Sequence, residues 1–161
     1  MKRFISILLI LLIVASIPAF AAGAVSNGEE KVYHASSCGS KLYLRKGAGT
    51  DYDIICCLPN GTALVKKCCT NGWWKVKTMN GKTGWIEAKH IRDHARANVN
   101  TPKSGLNVRS VKSMSSGILY SIPHGTKNVT VYKKSGNWAY VKWGGHKKGW
   151  ASLSYLKWTR W

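Results

Sequence analysis

The chain repeats itself. The stretch "LYLRKGAGTDYDIICCLPNGTALV" lies without a gap over "LNVRSVKSMSSGILYSIPHGTKNV", matching Leu42, Arg45, Ile54, Pro59, Gly61, Thr62 and Val65 to Leu106, Arg109, Ile118, Pro123, Gly125, Thr126 and Val129. After one extra residue in the second copy, "GWWKVKTMNGKTGWIEAKHI" lies over "NWAYVKWGGHKKGWASLSYL". Trp73, Val76, Lys77, Lys82, Gly84 and Trp85 then match Trp138, Val141, Lys142, Lys147, Gly149 and Trp150. A tandem duplication restricts the architecture to one that a unit of about fifty-five residues can form twice.

Within each copy, apolar runs of four to seven residues are bounded by Gly, Asn, Pro or Ser, as in "DIICCLPNGT" and "WWKVKTMNGKTGWI". That pattern predicts short strands and tight turns. No segment sustains a helical period; single turns near residues 87–90 and 152–155 are the most the pattern allows. Asn80-Gly81 reads as a two-residue hairpin turn with positive φ at both positions, and Gly144-Gly145 as its counterpart. A small closed barrel would remove exposed sheet edges, so the expected fold is all-β, two tandem small β-barrels.

The boundaries follow. Residues 1–24 read as a signal peptide, with Lys2-Arg3, an apolar run and a small-residue cleavage pattern ending near Ala21 or Ala24. Residues 25–37 form a polar lead that begins a strand near residues 31–34. The copies occupy 38–92 and 103–158, the linker 93–102 and the tail 159–161. Signal cleavage would leave no transmembrane segment, and the mature chain would be secreted, extracellular or wall-associated.

Lys and Arg number 25 against 6 Asp and Glu, a formal charge of +19, and no acid follows Asp93. Such a chain attracts polyanions as a class, including wall polymers, anionic lipid and nucleic acid. Export argues against specific nucleic acid as the physiological partner, although binding at low salt is expected in vitro.

The second copy, with "GLNVRS", "GILYSIPHGTKNVTVY", "GNWAYVKW" and "KKGWASLSYL", resembles the bacterial SH3 domain family (SH3b, SH3_3 type). The first copy departs at Tyr43 and Leu44 and carries cysteines that the family pattern does not require. The resemblance implies SH3-like β-barrels and a non-catalytic binding module of the kind appended to wall hydrolases. Its implied partner is peptidoglycan or teichoic acid; the alternative is an exported protein or peptide recognised by the same grooves.

Eight Trp and seven Tyr supply candidate contacts. "GWW" resembles the paired Trp of eukaryotic SH3 domains, which makes Trp73 and Trp138 candidate groove residues. Trp74, Tyr140 and Trp143 alternate along their strands and read as a solvent-facing platform. Trp85 and Trp150 read as core. Lys82, Lys147 and Lys148, at hairpin tips, are candidates for phosphate or carboxylate contacts.

Five cysteines, Cys38, Cys56, Cys57, Cys68 and Cys69, all fall in the first copy. In an exported chain they suggest disulfides, with Cys56 and Cys57 each able to meet Cys68 or Cys69 on a neighbouring strand and one thiol left over. Zinc is the lesser alternative, since paired CC lacks the C-x₂-C spacing. His34, His90, His94, His124 and His146 are scattered, and the second copy repeats the pattern without any cysteine, so no nucleophile and base pair is marked. The reading is of a non-enzyme without cofactor or metal.

Overall fold

A computed structural model describes residues 28–37 and 41–159. The expected signal peptide, Cys38 and the end of the tail lie outside the described residues. The first repeat contains β1 (Glu30–Ala35), β2 (Leu42–Arg45), β3 (Ile54–Leu58), β4 (Ala63–Thr70), β5 (Trp73–Thr78), β6 (Thr83–Glu87), a 3-10 turn (Ala88–His90) and β7 (Ile91–Asp93). The second contains β8 (Ala95–Val99), β9 (Leu106–Arg109), β10 (Ile118–Ile122), β11 (Val129–Ser135), β12 (Trp138–Lys142), β13 (Gly149–Ser152), a 3-10 turn (Leu153–Tyr155) and β14 (Leu156–Trp158). Both turns fall where the sequence allows a single helical turn.

The repeat therefore starts earlier than the sequence alignment does. The lead contributes β1 and the expected linker contributes β8, each pairing with the fourth and last strands of its own repeat. Ala35 donates its backbone N–H to Thr62 and Val99 donates to Thr126, the same bond at corresponding positions. In "ARANV" the alternation that buries Ala95, Ala97 and Val99 is carried largely by alanine, a weak apolar signal between polar neighbours.

The expectation of two closed barrels is overturned. The described strands form one 14-stranded sheet whose main path runs β10-β9-β13-β12-β11-β1-β4-β5-β6-β2-β3, with its ends unpaired to one another. Closure would require β3 and β10 to find partners on their outer edges, and neither has one. The repeats are instead fused through β1, which pairs with β4 over Val32–His34 and with β11 through Glu30↔Lys134 and Lys31↔Lys133.

Packing fuses them as well. Successive strand residues face opposite sides, and β1 and β4 bury both. Ala35 and Leu64 join the first repeat's own core with Leu42, Leu44, Leu58, Val76, Ile86 and Ile91. Val32, Ala63 and Val65 instead enter the larger core of the second repeat, among Ala97, Val108, Ile122, Val129, Val131, Ala139 and Val141. A tether between independent modules is thus replaced by a shared apolar interior.

Charge reinforces the seam. Glu30 bridges Lys67 of the first repeat and Lys134 of the second, both at 2.5 Å, and Glu29 reaches Lys133 at 3.1 Å. Lys31 pairs with Asp93 at 2.9 Å. These lysines hold Glu29, Glu30 and Asp93 below their ordinary carboxyl pKa values, mainly through the hydrogen bonds they donate.

The repeated Gly-Trp has a packing cause. A methyl group at Gly84 would fall 2.7 Å from both the Arg45 carbonyl oxygen and Leu44 Cγ. At Gly149 it would fall 2.6 Å from Val108 Cγ1 and 2.8 Å from the Arg109 carbonyl oxygen. Each glycine lets its strand close onto the strand carrying the repeated arginine. The Asn80-Gly81 turn differs from expectation: Gly81 has φ 89° while Asn80 is not left-handed. Thr78 donates to the Lys82 carbonyl, enclosing a three-residue loop. The two-residue turn with positive φ at both positions is Asn71-Gly72, at 44° and 78°.

Candidate functional site

The clearest site is a cleft that occurs twice. In the first repeat it is lined by Leu42, Tyr43 and Arg45 of β2, Thr50 of the following loop, Trp73 at the start of β5, Glu87 at the end of β6, and His90. In the second, Leu106, Asn107, Arg109, Met114, Trp138, Ser152 and Tyr155 stand at the corresponding places. The volumes are about 110 Å³ and about 170 Å³.

The arginines hold the loop that forms one wall. Arg45 donates to the Tyr52 carbonyl at 2.8 Å, and Arg109 donates to the Ser116 carbonyl at 2.6 Å. Trp73 and Trp138 are half-buried, with ring surface left in the cleft. Such a ring offers an apolar face and an indole donor to a ligand.

The two copies differ in chemistry. The first cleft is charged, with Lys41, Arg45 and a Glu87 that contacts Lys89 and lies 3.9 Å from His90 Nε2. The second replaces Glu87 by Ser152, His90 by Tyr155 and Thr50 by Met114, and adds Thr101, Pro102 and Ser104. Met114 is 71% exposed and Tyr155 42% exposed, so this cleft has an apolar rim. Met114 carries no motif of its own, and only its alignment with Thr50 marks it; Tyr155 belongs to the closing "SYL" of the second copy and aligns with His90.

The other aromatics are dispersed. Trp74 packs on the first core, edge-on to Tyr33 at 5.1 Å, with Lys66 Nζ 4.1 Å from its ring centroid. Tyr140 tilts against Trp150 at 5.0 Å. Trp143 stacks on His146 at 5.3 Å, and His146 also stacks on Tyr120 at 4.5 Å. Trp74, Tyr140 and Trp143 therefore occupy three environments instead of one platform. Trp150 is buried and Trp85 half-buried, on the face away from the two apolar cores, where Lys112 lies 5.2 Å from the Trp150 ring centroid.

Lys82 is exposed beside a recess shared with Cys56, Cys57 and Pro59. Lys147 is exposed, and Lys148 extends over the Tyr132 ring at 4.0 Å. Cys56, Cys57, Cys68 and Cys69 are free thiols, the last three exposed. The neighbouring-strand pairing has no counterpart: β3 pairs with β2, whereas β4 pairs with β1 and β5. Among the described residues, no group of three or more His, Cys, Asp or Glu is placed to hold a metal ion. No helix among them is long and apolar enough to cross a membrane.

Two repeated all-β units, each presenting a recessed tryptophan beside an arginine-pinned loop, define a class of small duplicated β modules. The chain belongs to the bacterial SH3 domain family (SH3_3), which it matches over residues 40–92 and 104–157. It is 28% identical over 137 residues to the protein named putative N-acetylmuramoyl-L-alanine amidase YrvJ of Bacillus subtilis, covering 75% of this chain and 26% of that protein. It is 40% identical over 62 residues to the protein named probable endopeptidase p60 of Listeria monocytogenes, covering 38% of this chain and 12% of that protein. The chain thus spans about a quarter or less of the curated relatives it matches. A solved structure of NlpC2 from Trichomonas vaginalis overlaps 81% of this chain and 48% of its own at 15% identity, with a TM-score of 0.44, too loose to add to the argument.

Proposed function

We propose that this protein is a secreted, non-catalytic binder of the bacterial cell envelope, recognising peptidoglycan or its anionic wall polymers through the duplicated tryptophan clefts. The observation that carries this reading is the recurrence of the cleft at corresponding positions in both repeats. Names of the relatives, an amidase and an endopeptidase, point to wall chemistry as the setting. The charge of +19 adds attraction to teichoic acid phosphates and other polyanions.

The non-catalytic reading rests on where the reactive groups fall. His34 Nδ1 lies 2.6 Å from the His94 carbonyl oxygen, His90 Nδ1 lies 3.3 Å from the Ser36 carbonyl, and His124 Nδ1 lies 3.3 Å from the Thr101 hydroxyl. None of these contacts joins an imidazole to a thiol, as a thiol nucleophile and its base require.

Co-sedimentation with purified peptidoglycan, with and without teichoic acid, tests the proposal at low and near-physiological salt. Retention on stripped peptidoglycan at the higher salt is expected, with Trp138→Ala weakening it by roughly thirtyfold or about 2 kcal/mol if that ring is a hot spot. Binding that disappears with teichoic acid would reduce recognition to charge. Absence of binding under every condition would refute the wall reading.

A second reading has its own observation. The outer edges of β3 and β10 expose Ile54 and Ile55 in one repeat and Ile118 and Leu119 in the other. Such edges suit strand addition by an extended peptide of an exported partner. That adaptor would require one named protein and leave purified wall empty.

A further inference from the structure

We propose that the cleft between the two repeats is a separate binding site for a glycan strand built of N-acetylated sugars. The inference deepens the wall reading by naming the component recognised and placing it away from the tryptophan clefts. The recess holds about 660 Å³, against about 110 Å³ and about 170 Å³ for those clefts. That volume lies within the usual range for small-ligand pockets, which favour junctions between structural units.

Both repeats build it. The first supplies Met79 and Asn80 from the loop joining β5 to β6, together with Thr62 and Ala63. The second supplies Ser154, Leu156, Lys157 and Trp158, while Asn100 follows β8. Trp158 packs partly on the larger core and also lines the cleft. Met79 packs on that same core, so two apolar walls are anchored to one interior.

The chemistry selects the ligand. An aromatic ring matches the C–H face of a pyranose, and amides and hydroxyls match ring hydroxyls and acetamido groups. The side chains of Asn80, Asn100 and Ser154 are exposed and engaged in none of the described hydrogen bonds. Among the described residues, no carboxylate lines the cleft and Lys157 is its one cationic side chain. A nucleic-acid strand would call for a row of cations; this cleft is nearly neutral within a chain of formal charge +19. Lys157 remains suited to a carboxylate borne by a sugar.

Comparison of the two copies separates this site from the fold's repeated needs. Trp158 corresponds to Asp93, which in the first repeat makes an ion pair with Lys31. Met79 and Asn80 correspond to Gly144 and Gly145. Trp158, Met79 and Asn80 therefore stand where the other copy has either a different function or none. The shared sheet and core hold the two walls in register, which lowers the cost of organising them on binding.

The test uses the mature protein and chitohexaose, a soluble N-acetylglucosamine oligomer without peptide, followed by amide and indole NMR shifts. Changes at Asn80, Asn100 and the Trp158 indole are expected, with affinity reduced at least tenfold in Trp158→Ala. Because Trp158 also contacts the core, the exposed double variant Asn80→Ala/Asn100→Ala is measured in parallel and is expected to weaken binding while retaining the fold. Shifts centred on Trp73 or Trp138, unchanged affinity in the Asn double variant, or no shifts at millimolar oligomer would each overturn the inference. Sedimentation of the same preparation with intact sacculi distinguishes that failure from failure of wall binding as a whole.

Discussion

Replacing Val65 with alanine tests whether the repeats are energetically one body. Val65 belongs to β4 of the first repeat, is 2% exposed, and points into the core dominated by the second. Losing two methyl groups costs about 0.8 kcal/mol each in transfer energy. A residual cavity of about 40 Å³, at roughly 24 cal/mol per Å³, adds about 1 kcal/mol. The expected destabilisation is therefore about 2.5 kcal/mol, read as a lowered urea midpoint in a single transition. Native-state hydrogen exchange provides the discriminating measurement. Amides of β12, in the repeat that was not mutated, should exchange about sixtyfold faster wherever they open by global unfolding. Two transitions, or unchanged protection in β12 with loss confined to β5, would refute the shared-core argument.

Three further outcomes follow from local geometry. Gly149→Ala and Gly84→Ala should each lower stability by about 1–3 kcal/mol in urea denaturation through overpacking, whereas Gly145→Ala, with nothing within 4 Å of the added methyl, should be near neutral. Glu29 and Glu30 have folded pKa values held below the ordinary 4.5, so their contribution is complete above the unfolded value and is lost as pH falls through the folded one. Thermal melts of Glu30→Gln should accordingly show a shallower acid limb than the parent, and identical limbs would remove the Glu30 bridge from the stability argument. In reduced native protein, Cys57, Cys68 and Cys69 should react with a maleimide before Cys56, which packs partly on the first core, and peptide mass spectrometry would reveal any other order.

The sequence made the duplication legible because its matched residues are those that geometry fixes: the close-packed glycines, the loop-holding arginines and the cleft tryptophans. It showed a strand near residues 31–34 without its place in the repeat, and it hid β8, because both segments lie outside the matched stretch and β8 buries mainly alanine. Fusion was hidden for another reason. "ALV" in β4 is apolar on both faces, which a local reading cannot distinguish from a strand buried within its own repeat. The tryptophan clefts were half legible, through Trp73 and Trp138, while Met114 and Tyr155 emerged only when both copies could be compared in space. The cleft between the repeats was least visible, since Met79 and Trp158 are far apart in sequence and acquire a common surface only through the fold.

The strand shared by both repeats also constrains the order of assembly. Glu30, near the start of the described chain, finds its sheet partner Lys134 only after both the first repeat and half of the second have been made. Contacts of such long sequence separation are entropically late, and topologies rich in them fold slowly. A nascent or emerging first repeat holds Val32, Ala63 and Val65 without the interior that will cover them. Completion of the first half thus waits on the second, and the chain's vulnerability to misassociation or proteolysis is greatest in the interval between them.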